Sequence, residues 1–313
     1  MPSRHDSRPS VHSRIERERP LKPRASASLV LSMVLVVLGC GRHSTEESPE
    51  STTAGARTVV SLSPAITTTL IDLGASERLV GRTPWCRGVD GLPVAGTLEG
   101  IDAEILVSLA PSVVLHQPAA TGTDPVLRDL QERMGFELAG GRLDGGADVL
   151  RLLDEIERLE LADSERVEER RRAMKSIEAM TVDQDGPIAV VMHSVDPVGV
   201  AGRNTYLGEI ARAGGLRNAA GSSAWSEWSV ETLIGADPDV LVVFAGPGSE
   251  ARVRTQLDAI RWPRPPSVVV ISKADAFEPS TRMPRVLESL REGLVEAGIT
   301  AGRPTAMGER DAE

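Results

Sequence analysis

The chain has 313 residues and a formal net charge of −10. Apolar residues make up 41% and charged residues 26%, which is typical of a soluble globular protein and argues against a membrane carrier or a disordered chain. Two cysteines are too few for a disulfide framework, and the acidic balance argues against a nucleic-acid-binding surface. The length allows one large core or two smaller lobes.

The first 39 residues have the features of an export signal. Seven Lys or Arg against three acidic residues occur in residues 1–26, and the apolar run from Leu29 to Leu38 is too short to span a bilayer. The run ends in Val37, Leu38, Gly39 and Cys40. This ending resembles the lipobox of bacterial lipoproteins, although Val37 stands where Leu is usual. The resemblance implies cleavage before Cys40 and its lipidation; an ordinary secretory signal is the alternative.

Two polar segments flank the region that we expect to fold. Residues 40–57 are rich in Ser, Thr, Gly and Glu and cannot bury enough apolar surface to order themselves, so we expect a flexible tether. Residues 303–313 are similarly polar, and we expect a disordered tail there.

Between these segments, short apolar runs alternate with helical patterns, which is typical of parallel α/β layers. A first strand is predicted at Thr58 to Leu62, and Ser63 and Pro64 begin the helix that follows. This helix extends from Ala65 to Leu73 and is closed by Gly74. Further strands are predicted, in chain order, at Leu79 to Gly81, Val113 to Leu115, Ile188 to Met192, Val240 to Phe244 and Ser267 to Ile271.

The sequence repeats itself at an offset of 127 residues. The segments that begin at Glu104 and Glu231 share a short helical stretch, a proline seven residues after the glutamate and a strand two residues after the proline. Repetition at about half of the folded length predicts two similar lobes rather than one continuous sheet.

Two amphipathic helices are predicted between the repeats, at residues 148–161 and 164–180. The second is long enough, at roughly 25 Å, to connect two lobes. We therefore expect an N-terminal lobe at 58–143, linking helices including an interlobe backbone helix at 144–182, and a C-terminal lobe at 183–302.

These features resemble those of a known family. The segments Val59 to Ala65, Leu73 to Ala75 and Leu79 to Gly81 are similar to the opening of the helical-backbone substrate-binding proteins of ABC importers. The two repeats are similar to the signature of each lobe in that family, and the resemblance covers residues 58–295. It implies two Rossmann-like α/β lobes joined by a single long backbone helix, with the ligand cleft between the lobes.

The resemblance also implies where the ligand lies. In such folds ligands bind outside the carboxyl ends of the strands, so residues that follow strands are candidates. The candidate ligand contacts are Trp85, Cys86, Arg87, His116, Gln117, His193, Trp225, Trp228, Phe277 and Arg282. Aromatic walls suit a flat ring, and arginine suits a carboxylate or a phosphate.

Several candidates have a structural alternative. Trp228 can pack against the following helix, and Cys86 can be a small buried residue. His116 and His193 stand at matching strand ends, but a zinc or manganese site needs three or four ligands. The folded region offers no third histidine and no paired cysteine, so we expect no direct metal site.

Glu104 and Glu231 occupy equivalent places in the two repeats, each at the start of a short helix. A carboxylate there is favoured by the helix dipole without any further function. In the family that the chain resembles, glutamates at these positions meet arginines on the two permease subunits. Equivalent places on two lobes suit a partner with approximate twofold symmetry, so we expect both to be docking residues.

The predicted function is that of a monomeric, lipid-anchored receptor in the cell envelope, with its body in the periplasm or at the outer face of the cytoplasmic membrane. It would deliver a small chelate to an ABC permease whose ATPase subunits are separate chains. A corrinoid is favoured, because Trp85 in one lobe and Trp225 and Trp228 in the other can enclose a flat ring; a ferric siderophore or haem is the alternative. Neither a resident cofactor nor an enzymatic activity is expected, since common catalytic and nucleotide-binding motifs are absent. A direct metal-ion binder and a hydrolase are less favoured alternatives.

Overall fold

The computed structural model describes residues 56–97, 100–181, 186–302 and 305–306. The expected export signal, Cys40 and most of the expected tether and tail lie outside the described residues. Within them the chain forms two α/β lobes that contain parallel sheets, which confirms the predicted fold class. No described helix is long and apolar enough to cross a membrane.

The first lobe contains a four-stranded parallel sheet with helices around it. Its elements, in chain order, are β1 (Val59–Ser61), α1 (Pro64–Asp72), β2 (Leu79–Gly81), α2 (Ala103–Leu109), β3 (Val113–His116), α3 (Pro125–Met134) and β4 (Glu137–Gly140). The strand order is β2-β1-β3-β4, and every neighbouring pair is parallel. All three residues of β1 are buried, as expected for a parallel sheet that is covered on both faces.

The chain connections from the two central strands of this sheet, β1 and β3, run to opposite edges of the sheet. β1 is followed by β2 on one side, and β3 is followed by β4 on the other. A crevice therefore opens between the carboxyl ends of β1 and β3, which is where ligands bind in open α/β sheets.

Two helices, α4 (Gly146–Arg158) and α5 (Ser164–Glu178), connect the lobes. On α5, Val167 packs in the apolar core of the first lobe, whereas Met174 packs in that of the second. The side chain of Asp163 caps α5 by accepting hydrogen bonds from two backbone N–H groups of its first turn. A single helix of about 22 Å therefore belongs to both cores.

The second lobe contains a mixed sheet. Its elements, in chain order, are β5 (Met180–Thr181), β6 (Ile188–Ser194), β7 (Val198–Ala201), α6 (Tyr206–Ala213), β8 (Arg217–Asn218), β9 (Trp225–Trp228), α7 (Val230–Gly235), β10 (Val240–Ala245), α8 (Glu250–Asp258), β11 (Ser267–Ser272), α9 (Met283–Glu296) and β12 (Thr305–Ala306). The main strand order is β11-β10-β6-β7-β9, with β8 beside β6. β6, β10 and β11 are parallel, as predicted.

The strands β7 and β9 are antiparallel to their neighbours, which differs from the expected parallel layers. Only residues 195–197 connect β6 to β7. A parallel pair needs a crossover of a dozen residues or more, so these two strands can form only a hairpin. β6 thus continues to β7 on one side and β10 to β11 on the other, and a second crevice opens between the carboxyl ends of β6 and β10.

The repeated segments adopt the same local structure in both lobes. Leu106 and Leu233, which are 127 residues apart, are both fully buried. Ala110 and Asp237, related by the same offset, both have left-handed backbones, with φ of 42° and 43°. This agreement supports the interpretation of the sequence repeat as two similar lobes.

Part of the C-terminal tail is paired rather than free. The strand β12 is antiparallel to β5, so the expectation of a disordered tail does not hold for its two residues. Just before it, the N–H of Gly302 donates a hydrogen bond to the carbonyl of Gly215. Main-chain hydrogen bonds of this kind need no apolar side chains, which is why the polar composition of the tail did not indicate them.

Candidate ligand-binding site

The crevice between β1 and β3 has a volume of about 750 Å³, within the usual range for small-molecule sites. Its lining is mostly apolar or neutral and includes Leu62, Thr83, Trp85, Ile101, His116, Gln117 and Leu127. Three predicted ligand contacts, Trp85, His116 and Gln117, therefore line one cavity at the end of the first sheet.

His116 is the last residue of β3 and is half-buried in this crevice. Gly140 lies beside it on β4, where a Cβ would come 2.2 Å from the carbonyl oxygen of His116, so the close approach requires glycine. Burial lowers the pKa of His116 below its ordinary value. The imidazole is therefore neutral at pH 7, the form in which it coordinates metals.

Trp85 lies on the loop that follows β2. Arg82, at the start of this loop, donates hydrogen bonds to three backbone carbonyls of the loop at 2.8 to 3.2 Å. Cys86 lies beneath the loop and is 1% exposed, with its Sγ 3.2 Å from the hydroxyl oxygen of Thr83. Its position is that of the small buried residue which the sequence also allowed, whereas Trp85 is held at the surface.

The crevice between β6 and β10 is smaller, about 220 Å³. Its lining includes His193, Ser194, Asp196, Arg252, Gln256 and Phe277. His193 and Phe277 are among the predicted ligand contacts. Arg252 and Gln256, on α8, are not, because the sequence alone does not reveal that this helix borders the opening between β6 and β10.

His193 lies at an irregularity in the pairing of β6 with β7. The residues before and after it pair with consecutive residues of β7, so His193 is the extra residue of a β-bulge. Its ring packs on Gly199, where a Cβ would come 2.4 Å from the imidazole. Trp225 contacts it edge-on, with ring centroids 5.3 Å apart. Burial lowers the pKa of His193 as well, so both crevices contain a neutral imidazole at pH 7.

Exposed aromatic surface is concentrated at these strand ends. All eight aromatic residues of the chain are described, and only Trp85, Trp225 and Phe277 are exposed, by 44%, 46% and 42%. Trp225 also faces Tyr206 at 5.8 Å, and the hydroxyl of Tyr206 donates to the carbonyl of Ala276, next to Phe277. Exposed aromatic surface of this kind is typical of sites that bind other molecules.

Trp228 has a different environment. It lies on β9 opposite Val198 and packs against an apolar cluster that includes Leu233 of the following helix. This is the helix-packing position that the sequence allowed as an alternative. Its role as a ligand contact stays a prediction.

Arg87 contacts the second lobe. Its Nη2 lies 2.6 Å from Oε1 of Glu278 and 4.0 Å from Oδ1 of Asp275. The hydroxyl of Thr68, on α1, donates to the other oxygen of Glu278 at 2.6 Å. Burial raises the pKa of Glu278, while the Thr68 hydrogen bond and the Arg87 charge act in the opposite direction. Arg87 thus has carboxylate partners within the protein.

Asp72, at the end of α1, is a second buried carboxylate between the lobes, with its side chain 6% exposed. Three guanidinium groups lie 3.3 to 3.5 Å from it, those of Arg170, Arg282 and Arg285. Arg282 also pairs with Asp275 at 3.1 Å. The two arginines predicted to bind ligand, Arg87 and Arg282, therefore join the lobes; their direct contact with a ligand stays a prediction.

No group of three or more His, Cys, Asp or Glu side chains in the described part of the chain is arranged to hold a metal ion. His116 and His193 line different crevices. A metal that arrives inside a chelate already has most of its ligands, so one protein side chain is enough to complete its coordination.

Glu104 and Glu231 are both exposed, in the first turns of α2 and α7. The two helices begin alike, because Asp102 and Ser229 each accept a hydrogen bond from the backbone N–H three residues later. Hydrogen bonds from its own backbone N–H and from the Ser229 hydroxyl lower the pKa of Glu231, which is charged at pH 7. Each lobe thus presents one carboxylate at an equivalent place.

A family model described as periplasmic binding protein matches residues 59–258, which is more than half of the chain. The chain belongs to this family of binding proteins, which is not a family of enzymes. No match was found among curated proteins.

Solved structures with the same fold include three periplasmic proteins. Haem-binding HutB of Vibrio cholerae aligns with a TM-score of 0.60 and 18% identity, over 77% of this chain and 99% of HutB. Haem-binding RhuT from Roseiflexus sp. RS-1, in its apo form, aligns at 0.58 and 23%, over 78% and 99%. Vitamin B12-binding BtuF of Vibrio cholerae aligns at 0.56 and 14%, over 78% and 98%. At these identities the likeness shows the fold alone.

Proposed function

We propose that the chain is the substrate-binding subunit of an ABC importer and that its ligand is a metal-centred tetrapyrrole, with haem favoured over a corrinoid. One observation carries the proposal: each lobe has exposed aromatic surface beside a neutral histidine, Trp85 with His116 in the first lobe, and Trp225 and Phe277 with His193 in the second. Flat apolar rings are covered by such aromatic surface, and a neutral imidazole can bind a metal at the centre of the ring.

The first-lobe crevice supports a ligand of this class. Its volume of about 750 Å³ lies in the upper part of the usual range for small-molecule sites, and Trp85 and His116 both line it. Of the three solved structures described above, two are named for haem and one for vitamin B12. These names fit a tetrapyrrole but do not separate the two ligands.

The chemistry of the crevice favours haem within this class. Haem iron has axial positions that protein side chains commonly fill, and His116 is a neutral imidazole at the crevice wall. Arg87 and Arg282, the two arginines predicted to bind ligand, are already paired with carboxylates, so neither is free to bind an anionic ferric siderophore. The corrinoid that the sequence favoured becomes the first alternative.

The remaining parts of the proposal concern the cellular setting. The family places the chain in the periplasm or at the cell envelope. We infer a lipid anchor at Cys40, a monomeric body, and docking of Glu104 and Glu231 to a permease dimer. ATP hydrolysis belongs to other subunits, and the chain itself is a binding protein without catalysis.

The ligand is tested by titrating the purified protein with Fe(III) haem, cyanocobalamin and a ferric hydroxamate siderophore, using visible absorption and calorimetry. Saturable haem binding with a shifted Soret band is expected, and no saturable heat with the other two. Tight cobalamin binding without haem binding would return the assignment to a corrinoid. Absence of binding to all three would contradict the proposal.

A further inference from the structure

The two exposed aromatic residues of the second lobe, Trp225 and Phe277, are held in different ways. Trp225 is the first residue of β9, and pairing with Ala201 of β7 fixes its backbone. Phe277 is the last residue of a 3₁₀ turn at Ala274–Phe277, which lies outside the sheet. The position of Phe277 therefore depends on the contacts that anchor this turn.

Tyr206 contacts both segments. It lies in the first turn of α6 and is 6% exposed. Its ring packs against that of Trp225, with centroids 5.8 Å apart and planes tilted by 58°. Its hydroxyl donates a hydrogen bond of 3.1 Å to the carbonyl oxygen of Ala276, the residue before Phe277. One side chain thus joins the beginning of β9 to the 3₁₀ turn.

The hydroxyl of Tyr206 is a dependable donor. Burial raises the pKa of Tyr206 above its ordinary value, and the negative charge of Glu278 acts in the same direction. The hydroxyl therefore keeps its proton throughout the neutral pH range. A buried tyrosine hydroxyl needs an acceptor, and Ala276, whose side chain lies in the same apolar core, supplies it.

The ion pairs of this turn act through longer connections. Asp275 pairs with Arg282 at 3.1 Å, and Glu278, which follows the turn, pairs with Arg87 at 2.6 Å. Each pair joins the ends of two side chains, and arginine has many rotamers to lose. The hydrogen bond from Tyr206 acts directly on the main chain, next to the exposed ring.

We propose that Tyr206 is a positioning residue that holds Phe277 at a fixed place relative to Trp225, so that the two rings form a preset aromatic wall for the tetrapyrrole. This inference rests on the proposed function and deepens it. Tyr206 acts through its neighbours, because at 6% exposure it offers almost no surface of its own to a ligand. A wall that is already in position loses little conformational freedom when the ligand binds, and this raises the affinity.

The test is a double-mutant cycle on the binding of Fe(III) haem, followed by visible absorption. Tyr206→Phe keeps the ring that packs on Trp225 and removes only the hydroxyl. It is expected to weaken haem binding about threefold to tenfold, the effect of losing one hydrogen bond, and to leave the Soret band of bound haem unchanged. In a protein that already carries Phe277→Ala, the same substitution is expected to have no further effect on haem affinity.

Thr69→Val is the matched control. The hydroxyl of Thr69 is also buried and also donates to a backbone carbonyl, that of Ala65 in α1. Neither residue lines either crevice in the described part of the chain. Thr69→Val is therefore expected to lower the free energy of unfolding, as Tyr206→Phe does, and to leave haem affinity unchanged. Urea denaturation of each variant measures the loss of stability.

The outcomes separate the two proposals. The positioning role is overturned, while haem binding stands, if Tyr206→Phe or Phe277→Ala binds haem as tightly as the wild type. It is also overturned if Tyr206→Phe weakens binding equally with and without Phe277→Ala, or if Thr69→Val weakens binding as much as Tyr206→Phe. If the wild type does not bind haem, the proposed ligand fails and the positioning role fails with it.

Discussion

We expect the protonation state of His116 to affect the affinity for the proposed ligand, because only a neutral imidazole can coordinate iron. In the unfolded chain its imidazole titrates near its ordinary value of about 6.5, and burial lowers its pKa in the folded protein. The unfolded chain therefore takes up the proton first as the pH falls. The stability that comes from burying the neutral ring is present above pH 6.5 and is lost as the pH falls through the folded-state pKa.

Haem affinity should follow the same titration. We expect it to be flat between about pH 8 and pH 7 and to fall only as the pH approaches the folded-state pKa of His116, which lies below 6.5, because a protonated imidazole cannot coordinate iron. His116→Ala should lower the haem affinity at pH 7 by about tenfold or more. It should also abolish the fall in haem affinity at acid pH. Absorption titrations at stepped pH measure both effects.

His193→Ala is the comparison for this prediction, since it removes a neutral imidazole from the other crevice. It is expected to leave unchanged both the absorption spectrum of bound haem and the fall in haem affinity at acid pH. A His116→Ala protein that keeps the wild-type spectrum and pH profile would show that His116 does not bind the iron.

At the scale of residues, the sequence predicted which side chains reach the strand ends but not what they contact there. Trp85, His116 and His193 border the two crevices, because carboxyl ends of parallel strands share one edge of a sheet. The pairing of Arg87 with Glu278 was not predictable, since the partners belong to different lobes and lie far apart in the sequence. Burial of Cys86, in contrast, was one of the two alternatives that the sequence left open.

At the level of secondary-structure elements, the two repeats share a strained backbone conformation after their short helices. Ala110 follows α2 with a φ of 42°, a left-handed conformation that costs a residue with a Cβ about 1 to 2 kcal/mol. Asp237 adopts the same conformation after α7. The proline that follows each of them starts the path into the next strand, and this path requires the sharp reversal at both places.

Replacing Ala110 by glycine should relieve this strain. We expect Ala110→Gly to raise the free energy of unfolding by about 0.5 kcal/mol, since relief of strain exceeds the added entropy of the unfolded chain. Ala173→Gly, the same change inside α5, should lower it by about 1 kcal/mol. Urea denaturation gives both values, and a loss of stability in Ala110→Gly similar to that in Ala173→Gly would contradict the strain argument.

Strand prediction succeeded where runs of β-branched residues are buried on both faces, as in β6 and β10. It missed β9 (Trp225–Trp228), whose residues are alternately exposed and half-buried and which lies next to turn residues. That strand exists because β7 offers it a free edge, which is a property of the assembled sheet and not of the segment itself.

At the scale of the whole molecule, two kinds of connection limit the motion of the lobes. The helix α5 belongs to both apolar cores, and the buried carboxylates of Asp72 and Glu278 pair with arginines across the lobe boundary. Removing either carboxylate would break ion pairs that join the two lobes. We therefore expect the two lobes to move little relative to each other when a ligand binds.

Such a rigid body can present two carboxylates to a permease at a fixed spacing. Glu104 and Glu231 are exposed at equivalent places of the two lobes. We expect Glu104→Lys combined with Glu231→Lys to reduce cellular uptake of the ligand at least about tenfold, because like charges would meet at the interface, and to leave ligand affinity in solution unchanged. Glu132→Lys combined with Glu292→Lys reverses two exposed charges on α3 and α9 and should leave uptake intact. Equal uptake by the two double variants would show that neither glutamate contacts the permease. Loss of ligand binding in the Glu104→Lys, Glu231→Lys variant would show that the glutamates support the structure of the lobes rather than docking.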